Sequence, residues 1–234
     1  MKNIPEQNPN KENNLEQIAK EIFDNWNQSL RYEEGDDLEK KAEVVASNYL
    51  EDGELFGTVS KLIRHGRSEI AGYFKHFLES KPKGEIIEVN VIELDESTIL
   101  QEGLYNFTLV KDSREKVVKA RFTFVYQKDN NGEWKILHHH SAVENDRNKV
   151  LNNNREVFDL DDEDLLLQPE EDTKDRVQKG RDKQIGSYRL RTGFYTNDSG
   201  LVRRFTYLFK NDKVVCQQIS ELPAGFEGEI EKIK

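Results

Sequence analysis

The chain is short of cysteine and of basic charge, and each shortage excludes a class of protein. Its single cysteine, Cys216, has no partner for an intramolecular disulfide and offers no cysteine cluster to a metal ion. Acidic residues number 45 against 35 basic ones, and the net charge of −10 opposes binding to nucleic acids and to anionic membrane surfaces. We therefore expect neither nucleic acid nor membrane as a partner.

Long apolar runs are also missing. No segment reaches the roughly 18 apolar residues that a membrane-spanning helix needs, and the amino terminus lacks the apolar stretch of a signal peptide. The sequence accordingly predicts a soluble, cytoplasmic protein. Hydrophobic residues make up only 35% of the 234 positions, so part of the chain is expected to lie outside a packed core. Residues 1–13, rich in Asn, Glu and Pro, are expected to be disordered.

Three segments near the amino terminus repeat apolar residues every three or four positions, which is the spacing of amphipathic helices. The first extends from Leu15 to Leu30, the second follows Asp36 or Asp37 as a cap, and the third follows Ser68 as a cap. Residues 51–66, between the second and third helices, are predicted to form a loop with short extended pieces. The apolar positions of the second and third helices are predicted to be Leu38, Ala42, Val45, Tyr49, Ile70, Phe74, Phe77 and Leu78.

From residue 85 onward the apolar spacing changes to two, which is typical of strands. Four strands are predicted at residues 86–94, 98–110, 117–126 and 133–141, with polar turns between them. Helices followed by an antiparallel meander indicate an α+β domain. The simplest packing wraps a curved antiparallel sheet around the three helices and leaves a cone-shaped cavity. This domain is predicted to span residues 14–147.

The remaining chain divides into an acidic segment and a second set of strands. Residues 159–172 carry eight acidic side chains and no basic one, so like-charge repulsion predicts an extended acidic linker over residues 148–183. The strand spacing then returns, and three strands are predicted near residues 188–194, 201–209 and 214–219. Residues 184–234 are therefore predicted to form a small β meander.

Three of the five histidines are consecutive and end an apolar, strand-like run. Because side chains of a strand alternate between its faces, His138 and His140 are predicted to share one face, and His139 the other with Ser141. A catalytic zinc ion needs three protein ligands, so His65 or His76 would have to complete any metal site here. The sequence contains no other metal or nucleotide motif, and we predict neither a metal nor a cofactor.

Several short motifs follow one another in a fixed order. The chain resembles the nuclear-transport-factor-2-like superfamily over roughly residues 15–145. Within the superfamily it is similar to the branch shared by the calcium/calmodulin-dependent kinase II association domain and the iota-class carbonic anhydrases. The resemblance implies the cone-shaped fold and a homodimer. The motifs that carry it are Trp26-Asn27, Thr58-Val59-Ser60, Tyr73-Phe74, Gly103-Leu104-Tyr105, Ala120–Tyr126 and Trp134–Ser141.

The iota-class resemblance implies a metal-independent carbonic anhydrase, a lyase that hydrates carbon dioxide to bicarbonate. It implies that His139 and Ser141 orient the water and that Thr58 and Tyr73 hold the substrate oxygens. Hydroxyls and a neutral imidazole can supply both the acceptors for a water molecule and the donors for a developing oxyanion. The resemblance further implies that substrate or product is bound by Arg64, Arg121 and His140.

Three positions depart from the pattern of this branch. Gly57 replaces a usual proline, Lys61 a usual asparagine, and Ala142 a usual second serine after the histidines. The alternative function is a non-catalytic module for oligomerisation or small-ligand binding, of the association-domain type. The sequence leaves both functions open.

Overall fold

The structure is a computed structural model that describes residues 9–58, 60, 63–111, 114–143, 177–196 and 202–221. The chain forms two compact units. The first contains Met1–Gly57 and Ile63–Ser141, and the second contains Thr58–Leu62 and Ala142–Lys234. The predicted acidic segment at 159–172 lies outside the described residues.

Three helices belong to the first unit: α1 (Pro9–Ser29), α2 (Leu38–Ala46) and α3 (Gly66–Leu78). The expectation of disorder is wrong for residues 9–13, because α1 begins at Pro9. Proline suits the first position of a helix, where no amide donor is needed and its fixed φ is already helical. Among the described helices, none is long and apolar enough to cross a membrane.

Two helix boundaries differ from the predicted ones. Tyr49 is not part of α2. It is the first residue of strand β1 (Tyr49–Phe56), because the side-chain amide of Asn48 donates to carbonyls of the last turn of α2 and ends the helix there. Ser68 does not cap α3. That helix begins two residues earlier at Gly66, whose φ of 74° lets the chain turn directly from a strand into the helix.

The predicted cap of α2 is confirmed at Asp37. Its carboxylate accepts hydrogen bonds from the backbone amides of Glu39 and Lys40 at 3.1 and 3.3 Å. These bonds satisfy two of the amide groups that a helix amino terminus leaves without a partner.

A six-stranded sheet completes the first unit. In addition to β1 it contains β2 (Ile63–His65), β3 (Lys83–Asp95), β4 (Thr98–Lys111), β5 (Arg114–Lys128) and β6 (Trp134–Val143). The four strands predicted after residue 85 are confirmed, with each end within three residues of its predicted position. The order across the sheet is β2-β1-β6-β5-β4-β3. β1 runs parallel to β6, whereas the β1–β2, β3–β4 and β4–β5 pairs are antiparallel.

The core of the first unit lies between the helices and one face of the curved sheet, as expected for the predicted α+β fold. Trp26 of α1 stands at its centre, with four phenylalanine rings at centroid distances of 5.2 to 6.3 Å. Such edge-on and tilted aromatic contacts bury large apolar areas in defined geometry. The four rings are Phe23, Phe74, Phe107 and Phe124.

The second unit contains a four-stranded antiparallel meander rather than the predicted three strands: β7 (Val177–Ile185), β8 (Tyr188–Thr196), β9 (Val202–Lys210) and β10 (Lys213–Glu221). Most of β7, residues 177–183, lies within the stretch predicted as linker. It lacks apolar alternation because it is an edge strand, where charged residues are common. A bidentate ion pair joins it to β8, from Arg191 to Asp182 with both contacts at 2.9 Å.

Candidate functional site

The three consecutive histidines of β6 lie on alternate faces of the sheet, as predicted. The ring of His139 stacks on Phe124 at a centroid distance of 4.0 Å and meets the edge of Trp26 at 5.2 Å. His138 and His140 instead both contact Phe56, each at 5.1 Å. His139 is therefore the one histidine of the three that faces the aromatic core.

Two tyrosines and a serine surround the imidazole of His139. Its Nδ1 lies 2.9 Å from the Tyr49 hydroxyl and its Nε2 lies 3.4 Å from the Tyr105 hydroxyl. The Tyr105 hydroxyl donates to Ser141 Oγ at 2.5 Å. The oxygen of Tyr105 then serves as acceptor for a proton on Nε2, while Nδ1 accepts from Tyr49. Since a hydroxyl can donate or accept, Tyr49 can support either tautomer.

Burial sets the protonation states of this cluster. Burial lowers the pKa of His139 well below its ordinary value, and the neighbouring His138 lowers it further. Burial raises the pKa of Tyr49 well above its ordinary value, and Tyr105 adds to that rise. At neutral pH the cluster therefore contains a neutral His139 imidazole and a protonated Tyr49 phenol.

Arg64 lies on the same face of the sheet as His139. It pairs with Leu55 across β2 and β1, and Leu55 pairs with His139 across β1 and β6. Directly opposed residues on neighbouring strands point to the same face, and two strand spacings separate Arg64 from His139 by about 10 Å. The Nε of Arg64 is buried, and no described residue accepts its hydrogen.

Tyr73 of α3 is half-buried, and it stacks on Phe77 at 5.9 Å and meets the edge of Phe74 at 5.2 Å. Its ring also explains the departure at Gly57, since a Cβ at this position would lie 2.4 Å from Tyr73 Cε2. Any larger residue, proline included, would clash with this ring. Gly57 and Tyr73 thus form a matched pair.

Two predicted substrate-binding residues do not share a face with His139. Arg121 is exposed, whereas its neighbours Ala120 and Phe122 are buried in the core. His140 contacts Phe56 on the other face of β6. Strand alternation turns both side chains away from the face that carries His139. Their part in substrate binding stays a prediction.

Thr58 belongs to the second unit and is half-buried. Its part in the site stays a prediction. The same short loop includes Ser60, whose carbonyl accepts a hydrogen bond from the buried Arg204 guanidinium at 2.9 Å. This contact holds Ser60 against β9 within the second unit.

A separate polar cluster lies on the other face of β6. The Glu54 carboxylate, only 3% exposed, is 3.0 Å from His138 Nδ1 and 3.4 Å from His65 Nδ1. The two histidines thus contact the carboxylate from separate strands. Within the described part of the chain, no three His, Cys, Asp or Glu residues are arranged to hold a metal ion.

The sequence does not mark Tyr49 or Tyr105 as a site residue. The apolar spacing predicts Tyr49 on a helix, and Tyr105 belongs to a motif from which no function is predicted for it. A signal for Tyr105 was present, because it alternates with Phe107 on a predicted strand and therefore shares its buried face. No comparable signal marked Tyr49.

A family model described as a SnoaL-like domain matches residues 19–145. Among solved structures, a protein of Xanthomonas campestris described as a calcium/calmodulin-dependent protein kinase II association domain is 38% identical, with 54% of this chain and 86% of that one covered and a TM-score of 0.49. A nuclear transport factor 2-like protein of Salmonella enterica is 15% identical over 57% of this chain and 93% of its own, with a TM-score of 0.46.

A ketosteroid isomerase-like protein of Erwinia carotovora is also 15% identical, over 56% of this chain and 94% of its own, with a TM-score of 0.43. At this identity the similarity concerns the fold alone. A search of curated proteins gave no match.

Proposed function

The chain belongs to the SnoaL-like domain family, which has the nuclear-transport-factor-2-like fold, and we propose that it hydrates carbon dioxide to bicarbonate at His139. The observation that carries the proposal is the chain of contacts Tyr49–His139–Tyr105–Ser141 inside an aromatic core. It combines a neutral base with hydroxyl donors in a place shielded from water. In this proposal the reaction needs no metal ion.

The surroundings of His139 suit carbon dioxide, a small molecule without a net dipole. Phe124 and Trp26 supply apolar ring surface next to the imidazole, and such surface attracts carbon dioxide through dispersion. The hydroxyls of Tyr49 and Tyr105 converge on this imidazole. Apolar walls with a few convergent polar groups are the usual composition of small-molecule sites.

The long contact between His139 Nε2 and Tyr105 is the place where a water molecule would enter. At 3.4 Å it is the weakest link of the chain, beyond the usual range of a strong hydrogen bond. With the ring proton on Nδ1 and donated to Tyr49, Nε2 accepts a proton from the water. The water oxygen bonds to the carbon, and one C=O electron pair moves to oxygen to give bicarbonate.

The low pKa of His139 is compatible with this step, because the imidazolium forms next to the bicarbonate anion. The positive imidazolium and the negative bicarbonate form in the same step, so the buried site never contains a single unpaired charge. The hydroxyls of Tyr105 and Ser141 are placed to donate to the developing oxyanion. Tyr73 and Arg64 remain proposed substrate contacts.

Stopped-flow hydration assays on chelator-treated protein test the proposal. We expect activity in the wild type. In His139→Gln we expect a loss of about 10²- to 10⁴-fold in kcat/KM, because the amide of glutamine cannot replace the imidazole as proton acceptor. His76→Gln is the matched control, since His76 is exposed on α3. Folded wild-type protein without hydration activity at alkaline pH would refute the function.

A second candidate function is a non-catalytic module for oligomerisation or ligand binding. One observation favours it: both ring nitrogens of His139 already have partners and the side chain is only 3% exposed, which suits a structural hydrogen-bond network. An inactive protein that forms a stable homodimer in light scattering would support this candidate.

A further inference from the structure

Trp26 carries a buried hydrogen-bond donor without an acceptor. The residue is 1% exposed, and no described side chain or backbone group accepts the hydrogen of its Nε1. An indole N–H is a donor only, so no change of protonation or tautomer can satisfy it. Buried polar groups are nearly always paired, and each exception calls for an explanation such as a bound ligand or water.

The unpaired donor belongs to a ring that borders the proposed site. The Trp26 ring stands edge-on to His139, at a centroid distance of 5.2 Å and an interplanar angle of 85°. The Tyr49 hydroxyl is near this nitrogen, and their interaction opposes part of the rise in the pKa of Tyr49, although the contact does not meet the distance and angle limits of a hydrogen bond. The donor therefore lies at the polar end of the core.

We propose that Trp26 Nε1–H is a catalytic donor that hydrogen-bonds an oxygen of bicarbonate bound beside His139. The inference rests on the proposed carbon dioxide hydration, and it adds an indole to the hydroxyl donors of Tyr105 and Ser141. Bicarbonate has three oxygens and can accept from several donors at once. A fixed neutral donor in a buried site stabilises developing negative charge without exchanging a proton with it.

The test uses wild-type protein with ¹⁵N-labelled tryptophan. The sequence contains two tryptophans, so two indole N–H signals are expected. Trp134 is the internal control, since it is half-buried and lies under the Lys128 ammonium at 4.9 Å. Bicarbonate is titrated at fixed pH against chloride of equal ionic strength. We expect the Trp26 indole proton to move downfield and saturate, with the Trp134 signal unchanged.

Two results would overturn the inference. A Trp26 signal that does not move during the titration shows that bicarbonate does not accept from this donor. A signal already downfield without bicarbonate, and unchanged by it, shows that a water molecule satisfies the indole. If the Trp26 signal shifts saturably but the protein hydrates no carbon dioxide, Trp26 belongs to a site that binds bicarbonate, and the proposed catalytic function is refuted.

Trp26→Phe supplies an independent measurement, because it retains an aromatic ring and removes the donor. We expect bicarbonate binding to weaken about tenfold or more, as is typical for a lost hydrogen bond to a charged group. Trp134→Phe is the matched control and should bind bicarbonate as the wild type does. Unchanged bicarbonate affinity in folded Trp26→Phe contradicts the inference. If this variant does not fold, the NMR titration of the wild-type protein tests the inference alone.

Discussion

Replacing Tyr105 with phenylalanine removes one hydroxyl from the centre of the His139 cluster and leaves the ring in place. The ring keeps its contacts with Phe107 and Phe122, both at 4.8 Å. Ser141 Oγ, however, loses its donor at 2.5 Å and His139 Nε2 loses its partner at 3.4 Å. A buried polar group that loses its partner costs about 1–3 kcal/mol, so we expect a fall of that size in the free energy of unfolding.

Tyr126→Phe is the matched control for this change. Tyr126 is equally buried and donates to Gln101 at 2.6 Å, so its hydroxyl also has a buried partner to lose. Urea denaturation should give a similar loss of stability for both variants. Hydration assays should separate them, with kcat falling about 10²- to 10³-fold in Tyr105→Phe, as for a lost oxyanion donor, and little in Tyr126→Phe.

A double-mutant cycle of Tyr105→Phe with Ser141→Ala isolates the contact between the two hydroxyls. Residues that share a hydrogen bond are expected to couple by about 0.5–3 kcal/mol. The reasoning is refuted if the two substitutions are additive in stability and Tyr105→Phe retains wild-type kcat. Such a result would mean that the cluster neither bonds as described nor takes part in the reaction.

The remaining predictions concern pH, the Gly57 contact and Arg64. The pKa of His139 is lower in the folded state than in the unfolded state, so its contribution to stability is complete above about pH 6.5 and is lost as pH falls toward the pKa of the folded state. Thermal unfolding should show this decrease in stability with falling pH, and His139→Gln should lack it. Gly57→Ala should cost about 1–3 kcal/mol in urea denaturation through its clash with Tyr73, whereas Gly72→Ala, with open space around its Cβ, should be neutral or stabilising. Arg64→Gln should raise KM for bicarbonate without changing kcat, and an unchanged KM would show that the guanidinium is not a product contact.

Strand alternation made much of the site predictable from sequence. The four strands after residue 85 have clear apolar spacing, and that spacing placed His139 and Ser141 on one face and His140 on the other. The same rule applied to Arg121 predicts the opposite face from Phe122, which is what the structure shows. The family resemblance implies that Arg121 binds substrate or product, whereas the local pattern places its side chain on the face opposite the aromatic core.

The secondary structure of Tyr49 could not be predicted, because its position in the sequence fits both the end of helix α2 and the start of strand β1. It stands four residues after Val45 and so continues the apolar stripe of α2 in the sequence. The end of that helix depends on Asn48, which bonds to Val44 and Val45 carbonyls and also to the Ser29 hydroxyl of α1 at 3.1 Å. This last contact is between residues distant in the sequence. β1 itself pairs with β6, far along the chain, so neither element has a purely local signal.

The position of His139 also depends on the register of three short strands. Two rows cross β2, β1 and β6 side by side: Arg64, Leu55 and His139 lie on one face, and His65, Glu54 and His138 lie on the other. A slip of one residue in β6 would bring the Glu54 carboxylate opposite a different residue and turn a different histidine toward Phe124. Since side chains alternate with a period of two, such a slip exchanges the faces completely. The contacts of the Glu54 carboxylate with His65 and His138 favour the observed register. In this way a carboxylate on one face of the sheet fixes the position of the His139 imidazole on the other.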